Sequence, residues 1–420
     1  MKRTLVVTGV MLASALASPA AHAAAKKPAK AYDFDGNGKP DLALGAPGAK
    51  IVAVVYSGRK KKRKRQVTGG RAGFGTSLAS ADFDRDGYAD LAVAGRGAVT
   101  VVHGSKSGLG KRRKTLKTSG GTLTRRGLAV GDFDGDGDPD LVATAGPRYW
   151  LFENEGGGRF HRTGTTPGGT GPTVITYAPV AGDFNRDKRT DLVLLPDGGP
   201  GGEPEIMIAM GSAKGLKAPA GTGLRGGVVG AAGDLDGDGH ADLVRGGPAG
   251  IQVGYGGRNG FSAGRVLTQD SPGIPGRTAA GTAENFGDAL AVGDLDHDGR
   301  ADLVVGDPDD AAAGTGAPSP GSVTVLFGSR SGLTATGARR LTLDSHGVPA
   351  RAMARDGFGS ALAVLDLAAD GRPEIIAGAP GIGQVLTLRL TKRRVTGGSA
   401  LTARFLTLPT SSRYGTVVAR

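Results

Sequence analysis

The chain has 420 residues, a formal net charge of +13, 76 glycines, 23 prolines and no cysteine. The lack of cysteine excludes a disulfide-stapled scaffold and any thiolate nucleophile or metal ligand. The glycine and proline content disfavours a mainly helical fold. The length exceeds that of one typical domain, but repeat proteins often reach this size.

The first residues indicate export. Lys2 and Arg3 precede an apolar run over residues 4–17, and Ala21-His22-Ala23 provides a small-x-small cleavage pattern. We therefore predict a signal peptide over residues 1–23, one domain over 24–420 and a secreted protein. The apolar run is shorter than the roughly 20 residues that a membrane-spanning helix needs, so we expect no transmembrane segment.

A nine-residue acidic segment recurs along the rest of the chain. It begins at Asp33, Asp82, Asp132, Asp183, Asp234 and Asp294, and a degenerate copy begins at Asp366. A period near 50 residues is typical of a propeller blade rather than of a solenoid coil. Short β-branched and aromatic runs bounded by glycine flank each segment, which indicates four strands a repeat. The sequence therefore predicts an all-β, seven-bladed propeller.

The two ends of the chain predict how the propeller closes. Repeats two to seven have an apolar strand before the acidic segment, whereas residues 26–31 make a poor strand. Residues 414–420 align instead with residues 74–80, which open repeat two. We therefore expect the C-terminus to supply the first strand of blade one, an arrangement that removes exposed sheet edges.

Two further motifs carry a family resemblance. Phe-Gly pairs open three repeats at Phe74, Phe286 and Phe358, and Gly-x-Pro follows the acidic segment at Gly45, Gly306 and Gly378. The pattern resembles the FG-GAP repeats of integrin α-subunit propellers and of many exported bacterial proteins. The resemblance implies that the acidic loops and the hairpins between third and fourth strands share one face. The remaining connections would then line the other face.

The acidic segments have the chemistry of calcium loops. Carboxylates or an amide at positions 1, 3, 5 and 9, a backbone carbonyl at 7 and glycine at 6 place hard oxygen ligands on a tight turn. The loops are not EF-hands, since position 12 of the first is Leu44. A solvated acidic hairpin is the alternative for one copy, but six copies favour about six structural Ca²⁺ ions.

The predicted ligands, with position seven acting through its carbonyl, follow loop by loop. They are Asp33, Asp35, Asn37, Lys39 and Asp41; Asp82, Asp84, Asp86, Tyr88 and Asp90; Asp132, Asp134, Asp136, Asp138 and Asp140; Asp183, Asn185, Asp187, Arg189 and Asp191; Asp234, Asp236, Asp238, His240 and Asp242; and Asp294, Asp296, Asp298, Arg300 and Asp302. The fourth loop has Lys188 for the turn glycine, and the seventh has Ala368 and Glu374 for two ligands. We expect the seventh loop to bind calcium weakly or not at all.

Positive charge is concentrated elsewhere. Residues 59–65 are seven consecutive cations, and shorter runs lie at 111–114, 339–340 and 392–394. Most of these runs lie at or beyond the hairpin between third and fourth strands. They are either a solvated surface or a binding surface for a polyanion such as an acidic polysaccharide or cell-wall polymer. Only 5% of the residues are aromatic, so a specific nucleic-acid groove is not expected.

Catalytic motifs are missing from the sequence. There is no nucleophile elbow and no zinc-binding motif. Long connections at 269–285, 307–320 and 344–356 are either padding or ligand-binding loops. The sequence therefore predicts a monomeric extracellular binding or adhesion module for carbohydrate or an anionic cell-wall polymer. The alternative is a polysaccharide lyase-like enzyme on the same scaffold.

Overall fold

The computed structural model describes residues 28–58, 63–118, 123, 126–165, 176–197, 204–247, 250–276, 286–310, 320–353, 355–391, 394–408 and 417–418. Within these ranges the chain forms 28 strands in seven four-stranded antiparallel sheets, and its one helical element is a short 3-10 turn at Pro47–Ala49. The predicted signal peptide at 1–23 lies outside the described residues. No helix in the described ranges has the length and apolar character needed to span a membrane.

Each sheet is one blade, and six of the seven use four strands that follow one another along the chain. Blade one contains β1 (Leu42–Ala46), β2 (Ile51–Tyr56), β3 (Arg63–Thr68) and β28 (Val417–Val418). Blades two to four contain β4 (Leu78–Ala81), β5 (Asp90–Gly95), β6 (Ala98–Val102) and β7 (Arg113–Lys117); β8 (Leu128–Gly131), β9 (Asp140–Ala145), β10 (Arg148–Asn154) and β11 (Phe160–Thr165); and β12 (Thr176–Gly182), β13 (Asp191–Asp197), β14 (Glu205–Ala209) and β15 (Ala220–Arg225). Blades five to seven contain β16 (Val229–Gly233), β17 (Asp242–Gly247), β18 (Gly250–Tyr255) and β19 (Ser262–Leu267); β20 (Ala289–Gly293), β21 (Asp302–Asp307), β22 (Ser322–Phe327) and β23 (Thr334–Leu341); and β24 (Leu362–Leu365), β25 (Glu374–Ala379), β26 (Gln384–Thr391) and β27 (Arg394–Thr402).

The C-terminus closes the ring in the predicted register. Val418 pairs with Leu44 and Val417 with Gly45, so β28 lies beside β1 as the first strand of blade one. In blade two Leu78 pairs with Val93, which is the matching pair of the aligned repeat. Both the fold class and the closure expected from the sequence are confirmed.

The Phe-Gly openings are sites of close packing. Phe74, Phe286 and Phe358 are all buried. Gly359 has a φ of 94°, and a Cβ added there would lie 2.4 Å from the carbonyl oxygen of Ser322. Only glycine tolerates both the left-handed backbone and this approach. The motif therefore fixes the turn that leads into the innermost strand.

Apolar side chains fill the space between neighbouring blades. One buried cluster joins Phe34, Tyr56, Leu91 and Leu109 of blades one and two. The innermost strands, together with residues such as Tyr32 and Arg126, surround a central cavity of about 450 Å³. Burial of the sheet faces between blades stabilises the propeller, because each Å² of apolar surface removed from water contributes roughly 25 cal/mol.

Candidate metal centres

In blades two to seven the acidic loop connects the innermost strand to the second strand, and in blade one it leads into β1 because β28 comes from the other end of the chain. Position two of each predicted site is a buried apolar residue that packs beneath the loop: Phe34, Phe83, Phe133, Phe184, Leu235 and Leu295. In the second to sixth loops, position nine is the first residue of β5, β9, β13, β17 and β21. In the first loop, position nine immediately precedes β1. Each loop is therefore anchored at both ends by the core.

Position one organises the turn. The two oxygens of Asp33 accept hydrogen bonds from the backbone N–H groups of Asn37 (2.9 Å) and Gly38 (2.8 Å). Asp82 accepts equivalent bonds from Asp86 and Gly87 at 3.1 and 3.0 Å. Each loop therefore curls around its first carboxylate, which brings positions three and five towards it.

Position nine places a carboxylate under the loop. Asp41 is fully buried, and its two oxygens accept bonds from the backbone N–H groups of Phe34 (3.1 Å) and Ser57 (2.8 Å). Burial raises the pKa of Asp41 to about 7, against the opposing effect of those bonds. The same cause raises the pKa at position nine to about 7 in Asp140, Asp242 and Asp302 and to about 6 in Asp191.

The carboxylates of a loop converge. Ligand oxygens of Asp33, Asp35 and Asp41 lie within 4.8 Å of one another, as do those of three carboxylates in each of the second, third and fifth loops. This hard, anionic oxygen set fits Ca²⁺, which prefers six to eight oxygen ligands. When bound, calcium would supply the positive charge that removes the mutual repulsion of these groups.

The loops are also joined to one another around the ring. The backbone N–H groups of Ala89, Thr190, Ala241 and Ala301, at position eight, donate to the position-one carbonyl of the preceding loop at 2.8–3.0 Å. Proline occupies position eight in the first, third and seventh loops and donates no such bond. Order in one loop is therefore coupled to its neighbour, and a cation bound there would stabilise the junction between blades.

The fourth loop keeps this geometry with a lysine in the glycine position. The N–H of Lys188 donates to Asp183 Oδ2 at 2.9 Å, as the glycines do elsewhere. Its φ is 70°, in the left-handed region that disfavours a residue with a Cβ. The fourth loop therefore carries backbone strain.

Replacing this residue tests the strain. We expect Lys188→Gly to raise the free energy of unfolding by about 1 kcal/mol, because the left-handed backbone costs glycine little. Urea denaturation with and without calcium measures the change. Gly38→Ala is the matched control, since its φ is 82° and an added Cβ meets nothing within 4 Å. The control should lose stability, because it places a Cβ on a left-handed backbone. If Lys188→Gly also lost stability, the interpretation would be contradicted.

The seventh loop contains an arginine where the other loops would hold a cation. Arg389 Nε lies 3.1 Å from Glu374 Oε1, and Nη1 lies 2.8 Å from Asp370 Oδ2. Glu374 also accepts a bond from Leu367, as position nine does elsewhere. The guanidinium balances the remaining carboxylates, which provides a physical basis for the expected lack of calcium there.

A histidine enters the second loop from the matching strand position. Both Arg389 and His103 lie opposite position nine of their loop, one step beyond the pairs Ile375–Leu388 and Leu91–Val102. His103 Nδ1 lies 3.2 Å from Asp84 Oδ2 and 3.2 Å from Asp90 Oδ2.

The two carboxylates determine the protonation of this histidine. Burial lowers the pKa of His103, but its hydrogen bonds with Asp84 and Asp90 raise the net value to about 9. The sequence analysis missed both Arg389 and His103. An alignment of the seven third strands would have shown these cationic residues at one position.

The basic runs are only partly hairpin tips. Arg63, Lys64 and Arg65 lie in β3, paired with β2. Lys64 Nζ donates to the Phe405 carbonyl and, at 3.1 Å, contacts Thr407 Oγ1. In blade two, Lys114 Nζ donates to the Gly158 carbonyl of blade three at 2.7 Å. Part of the run 59–65 therefore belongs to the blade, and Lys64 contacts the segment before the closing strand.

The long connections show local structure but no convergent polar site in their described parts. Asp310 accepts bonds from Gln269 Nε2 (3.1 Å) and Arg340 Nε (2.8 Å), which ties two connections together. Within the third, Asp344 accepts a bond from Ala352 at 2.9 Å. Residues 277–285 and 311–319 lie outside the described residues.

Comparison with known proteins agrees with the repeat geometry. A family model described as FG-GAP-like repeat matches residues 33–93, 82–143 and 132–194, and an FG-GAP repeat model matches residues 286–326. Phosphatidylinositol-glycan-specific phospholipase D is 39% identical over 98 residues in Rattus norvegicus and 38% identical over 102 residues in Bos taurus. Each match covers 23% of this chain and only 11% of the relative.

A solved structure shows the same fold over most of the chain. A lectin of Agrocybe aegerita, described for its recognition of non-reducing terminal N-acetylglucosamine, aligns with a TM-score of 0.58 at 20% identity. The alignment covers 87% of this chain and 90% of that one. The lectin therefore shares the fold, and the matched repeats together with the seven four-stranded blades show that this chain is a seven-bladed β-propeller with FG-GAP repeats.

Proposed function

We propose that the protein is an exported calcium-binding propeller that acts as a binding module for an anionic carbohydrate or cell-wall polymer. The observation that carries the calcium part is the repeated convergence of carboxylates over a buried position-nine aspartate. Export is supported by the N-terminal pattern in the sequence, and millimolar calcium outside cells suits loops of this kind.

The distribution of charge supports an anionic ligand. The fourth, outermost strand of every blade lacks an acidic residue, and together the seven strands carry 12 lysines and arginines. Six of these cations lie in β3 and β7. Because 23 of the 39 acidic residues lie in the six loops, the rest of the surface is far more basic than the net charge indicates.

Neutralising six cations of blades one and two tests this surface. The variant replaces residues 59–62 with serine and glycine and adds Arg65→Gln and Lys117→Gln. Lys64 and Lys114 are kept, because their contacts hold neighbouring blades. We expect unchanged melting, weaker adsorption to polygalacturonate and to a poly(ribitol phosphate) wall polymer, and a flatter salt dependence. The parent's affinity should fall roughly tenfold or more between 50 and 200 mM salt, because bound counterions are released.

A matched variant controls for charge alone. It neutralises six exposed cations of blades four to six: Lys214, Lys217, Arg225, Arg258, Arg265 and Arg330. Equal loss in both variants would mean that adsorption follows total charge and would contradict a binding surface on blades one and two. New reducing or unsaturated ends in the incubated polymers would instead indicate an enzyme.

A further inference from the structure

Among the six complete loops, only the second has a histidine at the strand position opposite its position-nine aspartate. His103 brings an imidazole nitrogen to a site that otherwise offers only oxygen. The matching positions in the other five blades with a complete loop are Tyr56, Glu153, Met210, Tyr255 and Phe327. Imidazole is a ligand for Zn²⁺ and similar transition metals, whereas Ca²⁺ takes oxygen.

The site is enclosed. The side chains of His103, Asp84 and Asp90 are 5%, 6% and 0% exposed. Asp84 Oδ1 is buried and accepts no hydrogen bond. A buried carboxylate oxygen of this kind is costly unless a cation or donor satisfies it. The second loop therefore has a buried carboxylate oxygen whose ligand capacity is unused.

The spacing suits a shared metal ion. His103 Nδ1 lies 3.2 Å from an oxygen of each aspartate. Two ligand atoms bound tetrahedrally to one Zn²⁺ at 2.0–2.1 Å are about 3.3 Å apart. Asp82 and Asp86 belong to the same loop and add negative charge that attracts a divalent ion.

Comparison with the seventh loop shows why histidine matters. Arg389 enters its loop from the same strand position, but a guanidinium is always protonated and cannot bind a metal. Histidine can exchange its proton for a metal ion, because neutral imidazole is the ligand form. We infer that the second loop is a transition-metal site, of the Zn²⁺, Mn²⁺ or Co²⁺ class, in which His103, Asp84 and Asp90 are ligands.

Arg112 would compete with the metal. Its Nη1 lies 2.7 Å from Asp84 Oδ2, but the arginine side chain is 64% exposed and free to leave the loop. Arg112→Ala should therefore tighten metal binding. Tighter metal binding in Arg112→Ala would indicate a metal site. If the loop held only a structural ion pair, the same substitution would weaken that pair and leave no metal binding to tighten.

Cobalt absorption spectroscopy tests the inference on the full chain in millimolar calcium. We expect one Co²⁺ ion with imidazole-dependent visible bands, displaced by Zn²⁺ but not by calcium. His103→Gln, which keeps size and hydrogen-bonding capacity, should weaken binding by more than the roughly 10–100-fold typical of losing an outer-shell partner. His103→Phe, which copies Phe327 of blade six, is a second variant, and exposed His161→Phe is the control.

Other results would overturn the inference. These are no Co²⁺ or Zn²⁺ binding by the parent, binding unchanged in both His103 variants, or a His103 ring that stays doubly protonated by NMR when Zn²⁺ is saturating. The last result would make His103 an internal cation like Arg389. The inference shares one assumption with the proposed function, namely that these loops bind cations. Counting calcium in the same samples separates the two, since His103→Gln should leave the other five loops unaffected.

Discussion

Deleting residues 413–420 should destabilise the protein severely and cause aggregation. The deletion removes β28, which pairs with β1 through Leu44–Val418 and Gly45–Val417. Without it, blade one has three strands, and an unpaired edge faces solvent at the centre of the ring. Size-exclusion chromatography and thermal unfolding measure the effect.

A shorter deletion is the control for the closing strand. Removing only residues 419–420 leaves Val417 and Val418 in place, so this variant should remain soluble with nearly unchanged melting. A soluble, monodisperse protein with unchanged melting after the longer deletion would refute closure by the C-terminus.

Calcium should reverse the pH dependence of stability. In the metal-free protein, burial raises the pKa of Asp41, Asp140, Asp242 and Asp302 to about 7, whereas an unfolded aspartate titrates near 4. Between these values the folded state holds more protons than the unfolded state. The free energy of unfolding should therefore fall as pH rises from about 4 to about 7.

Saturating calcium should produce the opposite slope over the same interval. Calcium binds the ionised carboxylates, so its contribution to stability grows as pH rises. Urea denaturation of chelator-treated and calcium-loaded protein at several pH values measures both slopes. A metal-free protein that becomes more stable between pH 4.5 and 7 would contradict the buried, charge-repelled carboxylates.

The sequence predicts the fold well because the repeats constrain one another. Each copy shows where a strand must begin, and the missing strand before Asp33 has one match, at residues 414–420. The register of Val418 against Leu44 follows from that alignment without any knowledge of the structure. The glycine at loop position six is likewise predictable, since its left-handed φ recurs, as at Gly38 and Gly87.

The features that the sequence does not reveal depend on side-chain direction. His103, which directly follows the third strand β6, and Arg389, within the third strand β26, reach acidic loops 13 and 15 residues beyond the position-nine residues they contact. At the same strand position Tyr56 bonds instead to the backbone of Leu109 in the next blade. Residue type and local packing decide between these directions, so the repeat pattern alone does not distinguish them. The structural role of Lys64 was hidden in the same way, because its partners lie more than 340 residues away.

The central claim is that the acidic loops are calcium sites. Isothermal titration calorimetry of chelator-treated protein, with the bound metal counted by atomic emission, tests it most directly. We predict five to six calcium ions, the lower number applying if a transition metal occupies the second loop, and a melting temperature several degrees higher in calcium. Fewer than three bound ions, or a melting temperature unaffected by calcium, would contradict the account.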